Sequence, residues 1–76
     1  MIKHRVQYSS PLDALMAISK RLSRFEAAQG LSSEEFFRRY TLGQMGDDTS
    51  AVKWANDYRH YLALRADLEQ SLRHAA

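Results

Sequence analysis

Residues 31–40 read Leu-Ser-Ser-Glu-Glu-Phe-Phe-Arg-Arg-Tyr, and they contain the clearest helix start of this 76-residue chain. Ser32 and Glu35 have capping-box spacing, in which the serine oxygen accepts from the N–H of residue 35 and the glutamate from that of residue 32. Leu31 before the cap and Phe36 four residues after it have the spacing of a hydrophobic staple. The stretch therefore predicts that a helix begins at this point.

The predicted helix is short, covering residues 33–42 and ending at Gly43, because glycine favours the backbone conformation that terminates helices. Three aromatic side chains fall within an arc of about 100° of its circumference, at 100° per residue. They are Phe36, Phe37 and Tyr40. So much aromatic surface on a short helix indicates that the helix is packed between two other elements.

A longer helix is predicted upstream, over residues 11–29. Ser9 or Ser10 can cap it, Pro11 occupies the favoured first position, and Gly30 can end it. An apolar stripe follows three- and four-residue steps along this helix. Its members are Leu15, Ile18, Leu22 and Phe25, with Leu12 and Met16 widening the N-terminal end. Basic residues are expected on the opposite, solvated side, namely Lys20, Arg21 and Arg24.

A second long helix is predicted downstream, over residues 49–73. The turn before it is rich in glycine and aspartate, and Asp47, Asp48 or Thr49 can cap the helix. Its apolar residues recur at about 3.5-residue spacing. They are Trp54, Tyr58, Tyr61, Leu68 and Leu72, with Arg65 at the missing step and Leu62 broadening the stripe. Arg65 and Glu69 are spaced for an ion pair across one turn.

The N-terminal residues 2–8 have a different pattern, because apolar or aromatic positions alternate with polar ones. Period-two alternation favours a strand, whereas an unpaired basic arm is the alternative. The sequence therefore predicts one all-α domain over residues 1–76. In it, two long helices bracket a short aromatic helix, with either a short strand or an arm at residues 1–8.

Composition excludes several classes of protein. The formal charge is only +2, and 45% of the residues are hydrophobic, as in ordinary folded domains. No apolar run approaches the roughly 18 residues of a membrane span, so no membrane partner is expected. The absence of cysteine excludes disulfides, thiolate zinc sites and thiol catalysis, and it favours the cytoplasm. Because so short a chain has a small core, we expect a homodimer or a complex with another protein.

Catalytic and metal-binding patterns are weak. The three histidines, His4, His60 and His74, are not spaced for shared coordination, and only Asp57 precedes His60 on the same helical face. The adjacent carboxylates at residues 34–35 and 47–48 are explained by helix starts. We expect no catalytic residue, no cofactor and no metal, and hence no enzyme.

Three stretches together carry a resemblance. They are residues 31–40, then Leu42-Gly43-Gln44-Met45-Gly46-Asp47-Asp48, then Lys53-Trp54-Ala55-Asn56-Asp57-Tyr58. This order resembles small bacterial proteins with a Ser-Ser-Glu-x-Phe, Gly-Asp-Asp, Trp-Ala-x-x-Tyr signature. They are often encoded beside a TumE-type toxin and are similar to TumA-like antitoxins. The resemblance implies a bacterial protein whose partner is a cognate toxin. Lys53 departs from the acidic residue that relatives tend to carry before the tryptophan.

The sequence thus predicts a protein–protein interaction module that neutralises a toxin by binding it, with Trp54 and Tyr58 in the core. The predicted partner contacts are Leu62, Leu68 and Leu72. One alternative is a dimeric DNA-binding autoregulator that reads the major groove with a paired N-terminal ribbon. Its base-reading side chains would be Lys3, Arg5 and Gln7. A structural homo-oligomer is the third reading.

Overall fold

The computed structural model describes residues 10–75, and this part of the chain forms three α-helices and no strand. They are α1 (Pro11–Gln29), α2 (Ser33–Thr41) and α3 (Thr49–Ala75). The all-α class and the order of long, short and long helices are confirmed. Residues 2–8, for which a strand and a basic arm were the alternatives, lie outside the described range.

The helix termini are set by local hydrogen bonds. Ser10 is the cap of α1, and its Oγ accepts from the N–H of Asp13 at 3.1 Å. Gly30 ends that helix in the left-handed conformation with φ of 64°. Of the candidate caps before α3, the structure uses Asp48, whose Oδ1 accepts from the N–H of Ala51 at 2.8 Å.

Only half of the predicted capping box forms at the start of α2. The Oγ of Ser32 accepts from the N–H of Glu35 at 3.1 Å, as predicted. The Glu35 carboxylate binds the guanidinium groups of Arg38 and Arg39 instead of the N–H of Ser32. Charge-assisted hydrogen bonds to arginine are stronger than a bond to a neutral amide, which explains the difference. The hydrogen bond from Arg38, followed by that from Arg39, lowers the pKa of Glu35 to about 2.

The first and third helices pack antiparallel. This direction follows from two contacts, because Arg21 pairs with Asp57 whereas Phe25, one turn later in α1, stacks on Trp54, earlier in α3. The buried core draws on all three helices. Its members are Ile18, Leu22, Phe36, Ala51, Trp54 and Ala55.

The indole of Trp54 lies between two phenylalanine rings and is the centre of this core. Phe36 of α2 stacks on it with centroids 3.9 Å apart, and Phe25 of α1 stacks on it at 5.4 Å. The indole Nε1 donates to the Oγ of buried Ser33 at 2.8 Å, and the Ser33 N–H donates to Glu26 Oε2 at 2.9 Å. Three helices are therefore joined by one stack and one chain of hydrogen bonds.

Two expectations about α1 are wrong. Leu12 and Met16 do not extend the core but are 53% and 56% exposed. At 100° per residue, Met16 lies about 200° around the helix from fully buried Ile18. Arg21 is not simply solvated, because its Nε and Nη2 donate to the two carboxylate oxygens of Asp57 at 3.0 and 3.2 Å. The reason is the antiparallel approach of α3, which the sequence of α1 alone does not reveal.

Candidate partner-binding face

The third helix extends well past its contacts with α2. The ring of Phe37 in α2 lies 5.2 Å from that of Tyr58, and the Arg59 guanidinium lies 5.4 Å above the Phe37 ring. Among the described residues, no ring contact from α2 reaches further along α3. From residue 62 to about residue 67, which is level with the start of α1, α3 therefore has α1 as its main neighbour and an open side.

The three leucines predicted to bind a partner do not have the same environment. Leu62 is 38% exposed and Leu72 is 71% exposed, whereas Leu68 is half-buried. Leu68 follows Leu64 by four residues, and Leu64 packs against the core. These two side chains continue the row that begins with Asp57, which faces α1. Leu62 and Leu72 thus share the open side, and Leu68 lies at its edge.

A charged pair lies between the two exposed leucines. Arg65 Nε is 3.5 Å from Glu69 Oε2, and both side chains are more than half exposed. The hydrogen bond with Tyr61, followed by the charge of Glu69, raises the pKa of Arg65. The open side of α3 therefore has an apolar residue at each end and one charge of each sign between them.

The open side continues onto α1. A groove of about 350 Å³ is lined by Ser19 and Ser23 of α1 and by Arg65 of α3. Leu12 and Met16 lie seven residues before these two serines, so they continue the same rows toward the N-terminus of α1. We call Leu12, Met16, Leu62, Arg65, Glu69 and Leu72 together the open face. In the sequence, the spacing of Leu12 and Met16 from Ile18 already places these two residues on a different side of α1 from the buried core.

Side chains that could carry chemistry are mostly used in the fold. Asp48 caps α3, Glu35 binds two arginines, and Asp57 binds Arg21 rather than a group shared with His60. Within residues 10–75, no group of three or more histidine, aspartate or glutamate side chains could hold a metal ion. The DNA-contact candidates lie outside the described part. They are Lys3, Arg5 and Gln7.

None of the three helices in the described range combines the length and the apolar character needed to cross a membrane. Comparison with known proteins finds no match to a protein-family model, to a curated protein or to a solved structure. The relation to TumA-like antitoxins accordingly stays a prediction from the three quoted stretches of sequence.

Proposed function

We propose that this protein is a cytoplasmic, antitoxin-like binding module that neutralises a bacterial toxin by covering the toxin's active surface. The observation that carries the proposal is the exposure of Leu62 and Leu72 on one side of α3, beyond the last ring contacts of α2. An amphipathic helix that presents apolar residues in this way can lie in the groove of a partner.

The extent of the apolar surface supports binding rather than chance exposure. A single exposed leucine is common on folded proteins and needs no explanation. Here Leu12 and Met16 of α1 accompany the leucines of α3, and each of the four is at least 38% exposed. Apolar side chains that are exposed together on two packed helices favour a site where another protein binds.

The engagement of the acidic side chains also supports a binding role. Two carboxylates that join different helices, Glu26 and Asp57, hold Ser33 and Arg21 in place. They therefore fix the relative positions of the helices that present the open face. The choice of a TumE-type toxin as the partner rests on the sequence resemblance.

Co-expression with a TumE-type toxin encoded in the neighbouring gene tests this proposal. We expect the wild-type protein to restore growth and to co-purify with the toxin, and Leu72→Lys to lose both. Leu42→Lys is the matched control, because Leu42 is 59% exposed but lies at the end of α2. The proposal would be overturned if the wild-type protein neither restored growth nor co-purified with the toxin, or if Leu72→Lys captured the toxin equally well.

A further inference from the structure

The spacing of the side chains that α3 contributes to the open face is symmetric. Leu62, Arg65, Glu69 and Leu72 follow one another at steps of three, four and three residues. At 100° per residue, all four fall within roughly 80° of arc over a length of about 15 Å. The same sequence of spacings is therefore met from either end of the helix.

This symmetry is what a two-fold contact between identical helices requires. In a two-fold interface, residue i of one copy contacts residue j of the other, and residue j contacts residue i. The pairs 62 with 72 and 65 with 69 share one midpoint, residue 67. A two-fold axis at that level therefore places Leu62 against Leu72 of a second copy and Arg65 against Glu69 of that copy.

We propose that a second copy of this chain docks antiparallel on the open face, with the two-fold axis at the level of residue 67. Charge complementarity selects this direction. A parallel, in-register pair would oppose Arg65 to Arg65 and Glu69 to Glu69, and like charges across an interface are strongly unfavourable. In the antiparallel pair, four charges alternate in sign around the axis, and each arginine keeps its own Glu69 at 3.5 Å.

The first helix enlarges the contact. Arg21 of α1 lies beside Asp57 of α3, and the two helices are antiparallel. Met16 is five residues before Arg21 and Leu62 is five residues after Asp57, so Met16 and Leu62 lie near the same level. Met16 and Leu12 then flank the docked helix of the second copy, which covers apolar surface that one copy leaves exposed. A short chain with a small core gains stability from such association.

Cysteine cross-linking tests the register, because the chain contains no cysteine of its own. A mixture of Leu62→Cys and Leu72→Cys chains should form a disulfide-linked dimer under mild oxidation. Each variant alone should cross-link poorly, because identical positions lie about 15 Å apart along the axis. Disulfides require Cα atoms within about 7 Å. Cross-linking of Leu72→Cys chains with each other, or equal yields in all samples, would overturn the antiparallel register.

Charge reversal tests the complementarity. Arg65→Glu and Glu69→Arg should each weaken self-association about tenfold or more, because each opposes like charges across the axis. An equimolar mixture of the two should associate again as a heterodimer, although each chain still carries its own like-charged pair. Recovery on mixing therefore isolates the contact between copies.

Asp67→Arg is the matched control for these reversals, because Asp67 is exposed about 180° from the centre of the α3 surface. It should keep the wild-type dissociation constant, and circular dichroism should show equal helix content in all variants. Unchanged self-association in Arg65→Glu, or a mixture that stays monomeric, would overturn the proposal. Neither experiment requires the toxin, so failure of the self-association and failure of the proposed function are distinguishable. Because both partners would contact Leu62 and Leu72, the toxin would have to displace the second copy.

Discussion

The indole N–H of Trp54 donates a hydrogen bond of 2.8 Å to the hydroxyl of Ser33, and both residues are buried. Ser33 opens α2, and Trp54 lies in the second turn of α3. The N–H of the same serine donates to Glu26 of α1. The bond thus fixes the aromatic stack at the point where all three helices meet.

Replacing Ser33 with alanine should lower the free energy of unfolding by about 1–3 kcal/mol, because the buried indole N–H is left without an acceptor. Urea denaturation measures the loss. In a Trp54→Phe background the same replacement should cost less, since the donor is already absent. Equal costs in both backgrounds would show that the hydrogen bond is energetically irrelevant. Ser23→Ala, at an exposed serine of α1, is the control.

The ion pairs of Glu35 predict a pH dependence of stability. The folded-state pKa of this carboxyl is about 2, compared with its ordinary value of 4.5. Because the folded-state pKa is depressed, the ionised Glu35 carboxylate stabilises the folded protein at pH values above the unfolded-state pKa. This stabilisation is lost as the pH falls from 4.5 toward 2. Glu35→Gln should flatten the curve of unfolding free energy against pH in that window. Unchanged slopes would contradict this account, and Glu34→Gln controls for the loss of one negative charge.

The two-oxygen contact between Arg21 and Asp57 should stabilise the packing of α1 on α3 modestly. Both side chains keep some exposure, 40% and 20%, so solvent screening limits the coupling to about 0.5–1 kcal/mol. A double-mutant cycle with Arg21→Met and Asp57→Asn measures this coupling, which should fall as salt is added. A coupling near zero at low salt would show that the pair only accompanies the packing of the helices.

DNA binding by the N-terminal residues stays a prediction. If Lys3, Arg5 and Gln7 contact DNA, gel-shift binding to the protein's own promoter should weaken steeply with salt and disappear in a Lys3→Ala/Arg5→Ala variant. Binding that is absent, or that is insensitive to salt, would remove this alternative.

The success of sequence reasoning depended on how local each interaction was. Gly30 and the serine caps were predictable, because their hydrogen bonds join residues within a few positions of each other. The contact of Arg21 with Asp57 was not, because it spans 36 positions and depends on how the two helices pack. Leu68 and Leu72 looked alike at 3.5-residue spacing. Leu68 belongs to the row of side chains that faces α1 and is therefore half-buried, whereas Leu72 lies outside that row and is exposed.

The open side of α3 between Leu62 and Leu72 is proposed to bind a second copy of this chain. Light scattering at two concentrations about tenfold apart, on the wild type, Leu72→Lys and Leu42→Lys, tests it most directly. For the wild type and Leu42→Lys, the mass should rise with concentration from 8.8 kDa toward twice that value. Leu72→Lys should stay monomeric at both concentrations, because a charged side chain would be buried in the contact. Equal masses for all three proteins at each concentration would contradict the claim.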